Sequence, residues 1–238
     1  MNTSGKNEEI ILSDWLKSAD AKKRDNGKPL VLISYASSLD GSIAARQGSL
    51  LTISSDESLK AVHILRSRCD AILVGIGTVL SDNPRLSVRK IAGINPVPVI
   101  IDTGLRTPPD SRIFNENRNP VIFCGRERDN NRKMALISSG AYVIETDMTG
   151  YGLSLPEILH ILYDKGIRSL MVEGGAKIIR SFINTALWDM MAVTVAPLLI
   201  GGYKIIDENT LNKPLRFNNP TWINSGPDQI CLIERDTA

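Results

Sequence analysis

Two junctions where an apolar run meets glycine carry the most chemical promise in this sequence. In Val74-Gly-Ile-Gly-Thr78 the run passes straight into two glycines, and in Val172-Glu-Gly-Gly-Ala176 it does so just ahead of a helical pattern. Glycine lets a backbone approach its ligand closely, and the free N–H groups at a helix start attract anions. Each junction therefore suits a phosphate, and the pair suits a nucleotide laid across the carboxyl ends of neighbouring strands. Glu173, between a strand end and its turn, would point into the same crevice. The first junction stops short of a dinucleotide fingerprint, because Leu80 takes the third glycine position and Asn83-Pro84 breaks the chain after a short turn of helix. Asp102 ends the next strand, about where a ribose-binding acid belongs. A Rossmann crossover needs a longer helix, however, and a tight glycine turn without a ligand is the plain alternative.

Arg66 follows Val62 by four residues and Leu59 by seven, which puts a charge on the apolar side of its helix, where it needs a partner. It can answer its own helix dipole from the last turn, or it can grip a substrate phosphate through two parallel hydrogen bonds. Arg85, Arg89 and Lys90 follow the Asn83-Pro84 break and either form a solvated loop or complete a phosphate pocket with Arg66. Ser37-Ser-Leu-Asp-Gly41 has two readings as well. It is a hairpin signal, or a loop closing over the strand ends with Asp40, Ser37 and Ser38 near the reactive centre.

The elements that must position these residues alternate along the chain. Ile10, Ile11, Trp15 and Leu16 share one helical face. Ser54-Ser-Asp-Glu57 reads as a capping box opening a helix from about Asp56 to Arg68, and Ser154-Leu-Pro-Glu157 opens another that should stop at Gly166. A third helical pattern runs from Gly175 to Leu187. Strands are expected at Leu30–Tyr35, Ala71–Val74, Pro98–Asp102, Pro120–Cys124, Tyr142–Glu145, Ser169–Val172, Met191–Val195 and Gln229–Ile233. Most are continuous apolar runs, as strands buried on both faces should be. The expectation is an α/β domain with helices on both faces of a largely parallel sheet. No Pro/Gly/Ser-rich linker divides it, so the division expected is an N-terminal helical extension over 1–29 and one domain over 30–238.

Composition removes several function classes. The 238 residues hold 28 Lys and Arg against 26 Asp and Glu, a net charge of +2 that gives no support to a nucleic-acid groove or a membrane surface. Three well-separated cysteines (Cys69, Cys124 and Cys231) make no CxxC pair, which points to a reducing, cytoplasmic setting without disulfides. The only two histidines, His63 and His160, sit in helical patterns without metal-ligand spacing and read as structural, so no metal is expected. Neither a GxSxG elbow nor the HxE and PCxxC signatures of a zinc deaminase are present.

Several of these motifs resemble one family. Ser37-Ser-Leu-Asp-Gly, Leu51-Thr-Ile-Ser, the run from Ala71 to Arg89 that contains GIGTVLSDNPRLSVR, Ile100-Ile-Asp-Thr, Val172-Glu-Gly-Gly and Ala196-Pro-Leu-Leu-Ile-Gly-Gly are similar to the riboflavin-pathway pyrimidine reductases. The resemblance spans about Leu30 to Ile233. It implies a dihydrofolate-reductase-like three-layer α/β/α fold with a central mixed sheet, a homodimer, and NADPH as reductant, with NADH possible. Carried over by motif, Ala36, Thr52, Asp56, Thr78, Asp82, Thr103 and Gly174, Gly175, Ala176 and Lys177 would contact the cofactor. The phosphorylated pyrimidine would meet Arg66, Leu86, Arg89 and Glu173, and Glu173 and Asp40 would be the catalytic candidates for guiding a proton, with water as the alternative to both. Bifunctional bacterial relatives tend to carry Lys where this chain has Ser34, and the chain is expected to stand without a deaminase half. Both features favour the diaminopyrimidinone substrate over the aminouracil. A pterin or folate reductase on the same fold and a non-catalytic nucleotide-binding module are the competing readings. Two phosphate-seeking arginines argue against the first, and the intact set of Arg66, Arg89 and Glu173 against the second.

Overall fold

The structure, a computed structural model, describes residues 6–22, 27–49, 51–150, 152–207, 210–211 and 213–235. Residues 1–5 and 23–26 of the expected extension lie outside that set. In chain order, α1 (Lys6–Lys22) precedes β1 (Leu30–Ser38), the short β2 (Ser42–Ala44) and α2 (Asp56–Ser67). Then come β3 (Ala71–Gly75), α3 (Ile76–Asp82), β4 (Val97–Ile101), a 3-10 turn (Arg112–Asn117), β5 (Val121–Gly125) and α4 (Asn130–Ser138). The chain continues through β6 (Tyr142–Thr146), the small pair β7 (Met148–Thr149) and β8 (Gly152–Leu153), and α5 (Leu155–Asp164). It ends with β9 (Ser169–Gly174), α6 (Ala176–Asn184), β10 (Met190–Ala196), β11 (Tyr203–Lys204), β12 (Thr221–Ser225) and β13 (Asp228–Glu234).

Nine strands form one mixed sheet in the order β12-β13-β10-β1-β9-β3-β4-β5-β6. The pairs from β10 through β6 are parallel, and β13 runs antiparallel to both of its neighbours. Apolar side chains alternate between the two faces, as a period of two requires. On one face Leu12 and Trp15 of α1 and Ala61 and Leu65 of α2 pack on Leu32 and Met171, while Leu136 of α4 joins Ile72, Ile100 and Ile122. On the other, Ile158 and Leu162 of α5 and Ile179 and Phe182 of α6 cover Ile33, Leu73, Val99 and Val172. These three layers are the dihydrofolate-reductase-like architecture.

Local differences from the sequence reading have physical causes. Ser55, not Ser54, caps α2, accepting from the Ser58 N–H. The distant Asp228 sets that register, since its Oδ2 accepts from Ser55 N at 2.7 Å and Ser58 Oγ at 2.5 Å. Ser154 does cap α5, but Glu157 accepts the Asp147 N–H instead of reaching back. α6 stops at Asn184, short of Leu187, and Tyr142 on the edge strand β6 is 56% exposed rather than buried. β12 joins the sheet although its segment showed no clear apolar run.

Candidate active site

The crevice opens where two strands part. β1 pairs with β9 only as far as Ile33 and Val172, yet it continues beside β10 to Ser38. Between β9 and β3 the register slips, with Leu73 opposite Val172 and Val74 opposite Gly174, so Glu173 is the extra residue of a bulge. A bulge re-aims its side chain, and such irregularities gather beside active sites. Glu173 thereby turns to α2, where Arg66 Nε and Nη2 each donate to its carboxylate at 2.6 Å. The side chains are 15% and 13% exposed, respectively. Burial alone would lower the Arg66 guanidinium, and the Glu173 carboxylate outweighs it, holding Arg66 above the ordinary arginine range. The charge that the sequence left in need of a partner thus has one, and the guanidinium fork faces a carboxylate.

The loop after α3 completes this corner. Asn83 ends α3 in the left-handed region at φ 40°, and Leu86, buried, sits at φ 52°. Arg66 Nη1 donates to the Ser87 carbonyl at 3.2 Å, and Arg89 Nη1 donates to Ser87 Oγ at 3.2 Å. Arg66, Leu86, Arg89 and Glu173 are therefore brought together around Ser87. Arg118 and His63, to which sequence reasoning gave no site role, support the same loop, through the Leu86 carbonyl and the Arg89 N–H respectively.

Across the bulge the two glycine junctions interlock. A Cβ on Gly174 would lie 2.7 Å from Val74 Cγ1 and 3.0 Å from Thr78 Oγ1, and one on Gly75 would lie 2.8 Å from Ile178. These glycines are needed for β3–α3 to pack against β9–α6. Gly175, at φ 76°, starts α6 without a side-chain cap, and a Cβ on Gly77 would meet open space. The first turn of α6, with Ala176 and exposed Lys177, faces that opening as an anion-ready helix start.

Of the other expected cofactor contacts, Thr78 joins this cradle, and Ala36 lies on the part of β1 that has left β9. Thr103 follows β4 at the same sheet edge, its carbonyl accepting the Gly125 N–H. Asp82 closes α3, Thr52 is exposed, and Asp56 pairs with Lys90 at 2.7 Å. Asp40, the other candidate for guiding a proton, joins two turns. Its carboxylate accepts from Ser38 Oγ (2.6 Å), Ser42 Oγ (2.5 Å), Ile200 N (2.9 Å) and Gly201 N (3.1 Å), which fastens the 38–42 turn to the 198–202 turn. The two serine hydroxyls, then the backbone amides, hold this carboxyl far below the usual range.

A second feature was invisible in the sequence. Beyond β4 a cavity of about 490 Å³ is walled by Leu105, Arg106, Thr107, Pro108 and Pro109 and by Arg132 of α4. Thr107 N and Oγ1 both donate to Oδ2 of the fully buried Asp102, and Asp102 Oδ1 has no partner among the described residues. An apolar-walled cavity with two arginines at the same sheet edge as the glycine cradle suits a phosphorylated adenosine. No cluster of three or more His, Cys, Asp or Glu with metal-ligand geometry occurs among the described residues.

A parting between parallel strands, a glycine cradle beside it and a bulged acid at the fork sit on a dihydrofolate-reductase-like fold. Comparison with known proteins narrows this. Residues 29–230 match the model of the RibD C-terminal domain, and the chain belongs to that family. It is 39% identical over 178 residues to the 2,5-diamino-6-ribosylamino-4(3H)-pyrimidinone 5′-phosphate reductase of Methanothermobacter thermautotrophicus, covering 74% of this chain and 81% of that one. The riboflavin biosynthesis protein RibD of Aquifex aeolicus is 32% identical across 87% of this chain, which spans 58% of it. Among solved structures, RibD of Acinetobacter baumannii superposes with a TM-score of 0.80 at 25% identity, over 93% of this chain and 62% of that one. The riboflavin biosynthesis reductase of Saccharomyces cerevisiae shares the fold, with a TM-score of 0.75 at 24% identity, over 94% and 98%.

Proposed function

We propose that this protein is a riboflavin-pathway pyrimidine reductase that uses NADPH to convert the ribosylamino group of 2,5-diamino-6-(5-phosphoribosylamino)pyrimidin-4-one into a ribitylamino group. The single observation that carries the reading is the bulged Glu173, locked to Arg66 beside the Gly174-Gly175 cradle. The names of the relatives support the substrate class, since a pyrimidinone phosphate reductase matches across most of its length. The cofactor fits the residues present. Side chains are excluded at Gly174, open space lies at Gly77, and the arginine-walled cavity holds two cations for a 2′-phosphate, which favours NADPH over NADH.

When bound, the reduced nicotinamide supplies the hydrogen and electron pair that C1′ of the sugar accepts. The chain's own residues do the rest. The Gly174-to-Lys177 turn, with Thr78, Asp82, Thr103, Ala36, Thr52 and Asp56, binds and orients the cofactor. Arg66 and Arg89 hold the substrate phosphate on the loop around Ser87, and Leu86 packs against the substrate. Glu173, paired with Arg66, favours a positively charged C1′–N centre and guides a proton through water to the sugar ring oxygen as the ring opens. Asp40 keeps the crevice wall in place. Positioning supplies much of the rate in such a site.

A homodimer in the cytoplasm belongs to the same proposal. The adjoining turns leave Leu39 and Leu199 64% and 76% exposed, and the three cysteines are buried. Light scattering tests the dimer, and a monomer at all concentrations would contradict it. The function is tested by following NADPH oxidation with the diaminopyrimidinone phosphate and with its deaminated aminouracil counterpart. The proposal expects faster turnover of the first, and no turnover of either would refute it.

A further inference from the structure

We infer that His63 is a positioning residue for the substrate, its Nδ1 holding the Arg89 backbone N–H so that the Ser87–Lys90 loop presents its cations to a phosphate. The inference rests on the proposed role of Arg66 and Arg89 at the substrate. Four side chains from elsewhere in the fold hold successive backbone groups from Leu86 to Arg89. Arg118 Nη1 donates to the Leu86 carbonyl at 2.7 Å and Arg66 Nη1 to the Ser87 carbonyl at 3.2 Å. Asn95 Oδ1 accepts from Val88 N at 2.7 Å, and His63 Nδ1 accepts from Arg89 N at 3.2 Å. Leu86 is held at a positive φ of 52°, a conformation that an apolar side chain adopts only when its surroundings impose it. The loop is therefore fixed from outside.

His63 is the member of this set that must keep a lone pair to do its part. It is 3% exposed and lies three residues before Arg66 on α2. For Nδ1 to accept, the ring must be neutral with its proton on Nε2. Its surroundings enforce that state. Burial first, then the charges of Arg66 on its own helix and of Arg89 and Lys90 on the loop, push the imidazole down to about 4. A doubly protonated ring would only donate, and the Arg89 N–H would lose its acceptor. One ring thus ties the position of the loop to the cationic cluster, and an anion bound in that cluster would be felt at the ring.

The test uses the full chain and the fact that it has only two histidines. In nitrogen-edited NMR spectra the His63 ring should show the Nε2–H form at neutral pH. Titration with ribose 5-phosphate should move the His63 signals and leave those of the exposed His160 in place. A doubly protonated or Nδ1–H ring, or a ring blind to ribose 5-phosphate, would overturn the inference. In kinetics, His63→Ala should raise KM for the pyrimidine phosphate roughly tenfold while KM for NADPH stays within about twofold. His63→Asn, whose Oδ1 can accept in place of Nδ1, should recover most of that loss. Equal behaviour of the two variants, or an equal rise in both KM values, would overturn it as well. Should wild-type protein oxidise no NADPH with either pyrimidine, the functional reading falls, while the tautomer and the phosphate response still decide the state of His63.

Discussion

Replacing Glu173 by Gln removes one charge from the Arg66 pair and keeps its shape. Breaking a buried ion pair by removing one partner costs about 3 to 5 kcal/mol, because the other charge is left uncompensated. Here the two bonds are short, at 2.6 Å each, but the side chains keep 15% and 13% of their exposure and the new amide oxygen can still accept one bond. Those features place the cost at the low end, about 2 to 3 kcal/mol. For a chain of 238 residues the unfolding entropy is on the order of 0.5 kcal/mol per kelvin, so the melting temperature should fall by roughly 4 to 6 °C. The assay is thermal and urea unfolding of wild type, Glu173→Gln, Arg66→Met and the double variant. Because the double variant leaves no stranded charge, it should regain about half of the summed loss, giving a coupling of about 2 to 3 kcal/mol. In turnover, Glu173→Gln should lower kcat more than it raises KM for NADPH. Additive losses, or a single-variant loss below about 0.5 kcal/mol, would refute the claim that the bulge exists to hold this pair.

The remaining expectations concern pH, packing and cofactor choice. His63 falls from 6.5 in an unfolded chain to about 4 in the fold, so between those values the unfolded chain binds more protons and stability drops as pH falls. The full effect is about 3 kcal/mol, and it should show in urea midpoints of wild type at pH 4 and 7 and be missing from His63→Asn. Gly174→Ala should destabilise by about 1 to 3 kcal/mol and weaken NADPH binding, because its Cβ would meet the rigid Val74 side chain at 2.7 Å; calorimetry with NADPH checks this. Arg106→Ala and Arg132→Ala should each raise KM for NADPH by roughly ten- to a hundredfold, as loss of a charge-assisted contact worth about 1.5 to 3 kcal/mol implies, and leave KM for NADH nearly unchanged. Equal effects on the two cofactors would place the 2′-phosphate elsewhere.

What the sequence made legible was whatever depends on near neighbours in the chain. The central strands, the short α3 ended by Asn83-Pro84, the Ser154 cap and the glycine start of α6 follow from local chemistry and were read correctly. Arg66 could be seen to need a partner because helical spacing put a charge on an apolar face. Its partner could not be chosen, since Glu173 turns to α2 only through a bulge against β3, and register belongs to the assembled sheet. The same limit explains Ser55 in place of Ser54, a choice made by Asp228 at the far end of the chain. It also explains Asp40, which accepts from Ile200 and Gly201, 160 and 161 positions away, as well as from its near neighbours Ser38 and Ser42. The arginine-walled cavity needs α4 brought up to the loop after β4, and neither segment signals the other.

Conversion of the pyrimidine sugar is the central claim, and following NADPH oxidation while identifying the product by mass tests it most directly. With 2,5-diamino-6-(5-phosphoribosylamino)pyrimidin-4-one, one NADPH should be consumed for each molecule that gains two hydrogens at the ribosylamino group, and the deaminated uracil should turn over more slowly. NADPH consumed without that mass change, or no consumption with either pyrimidine, would contradict the account.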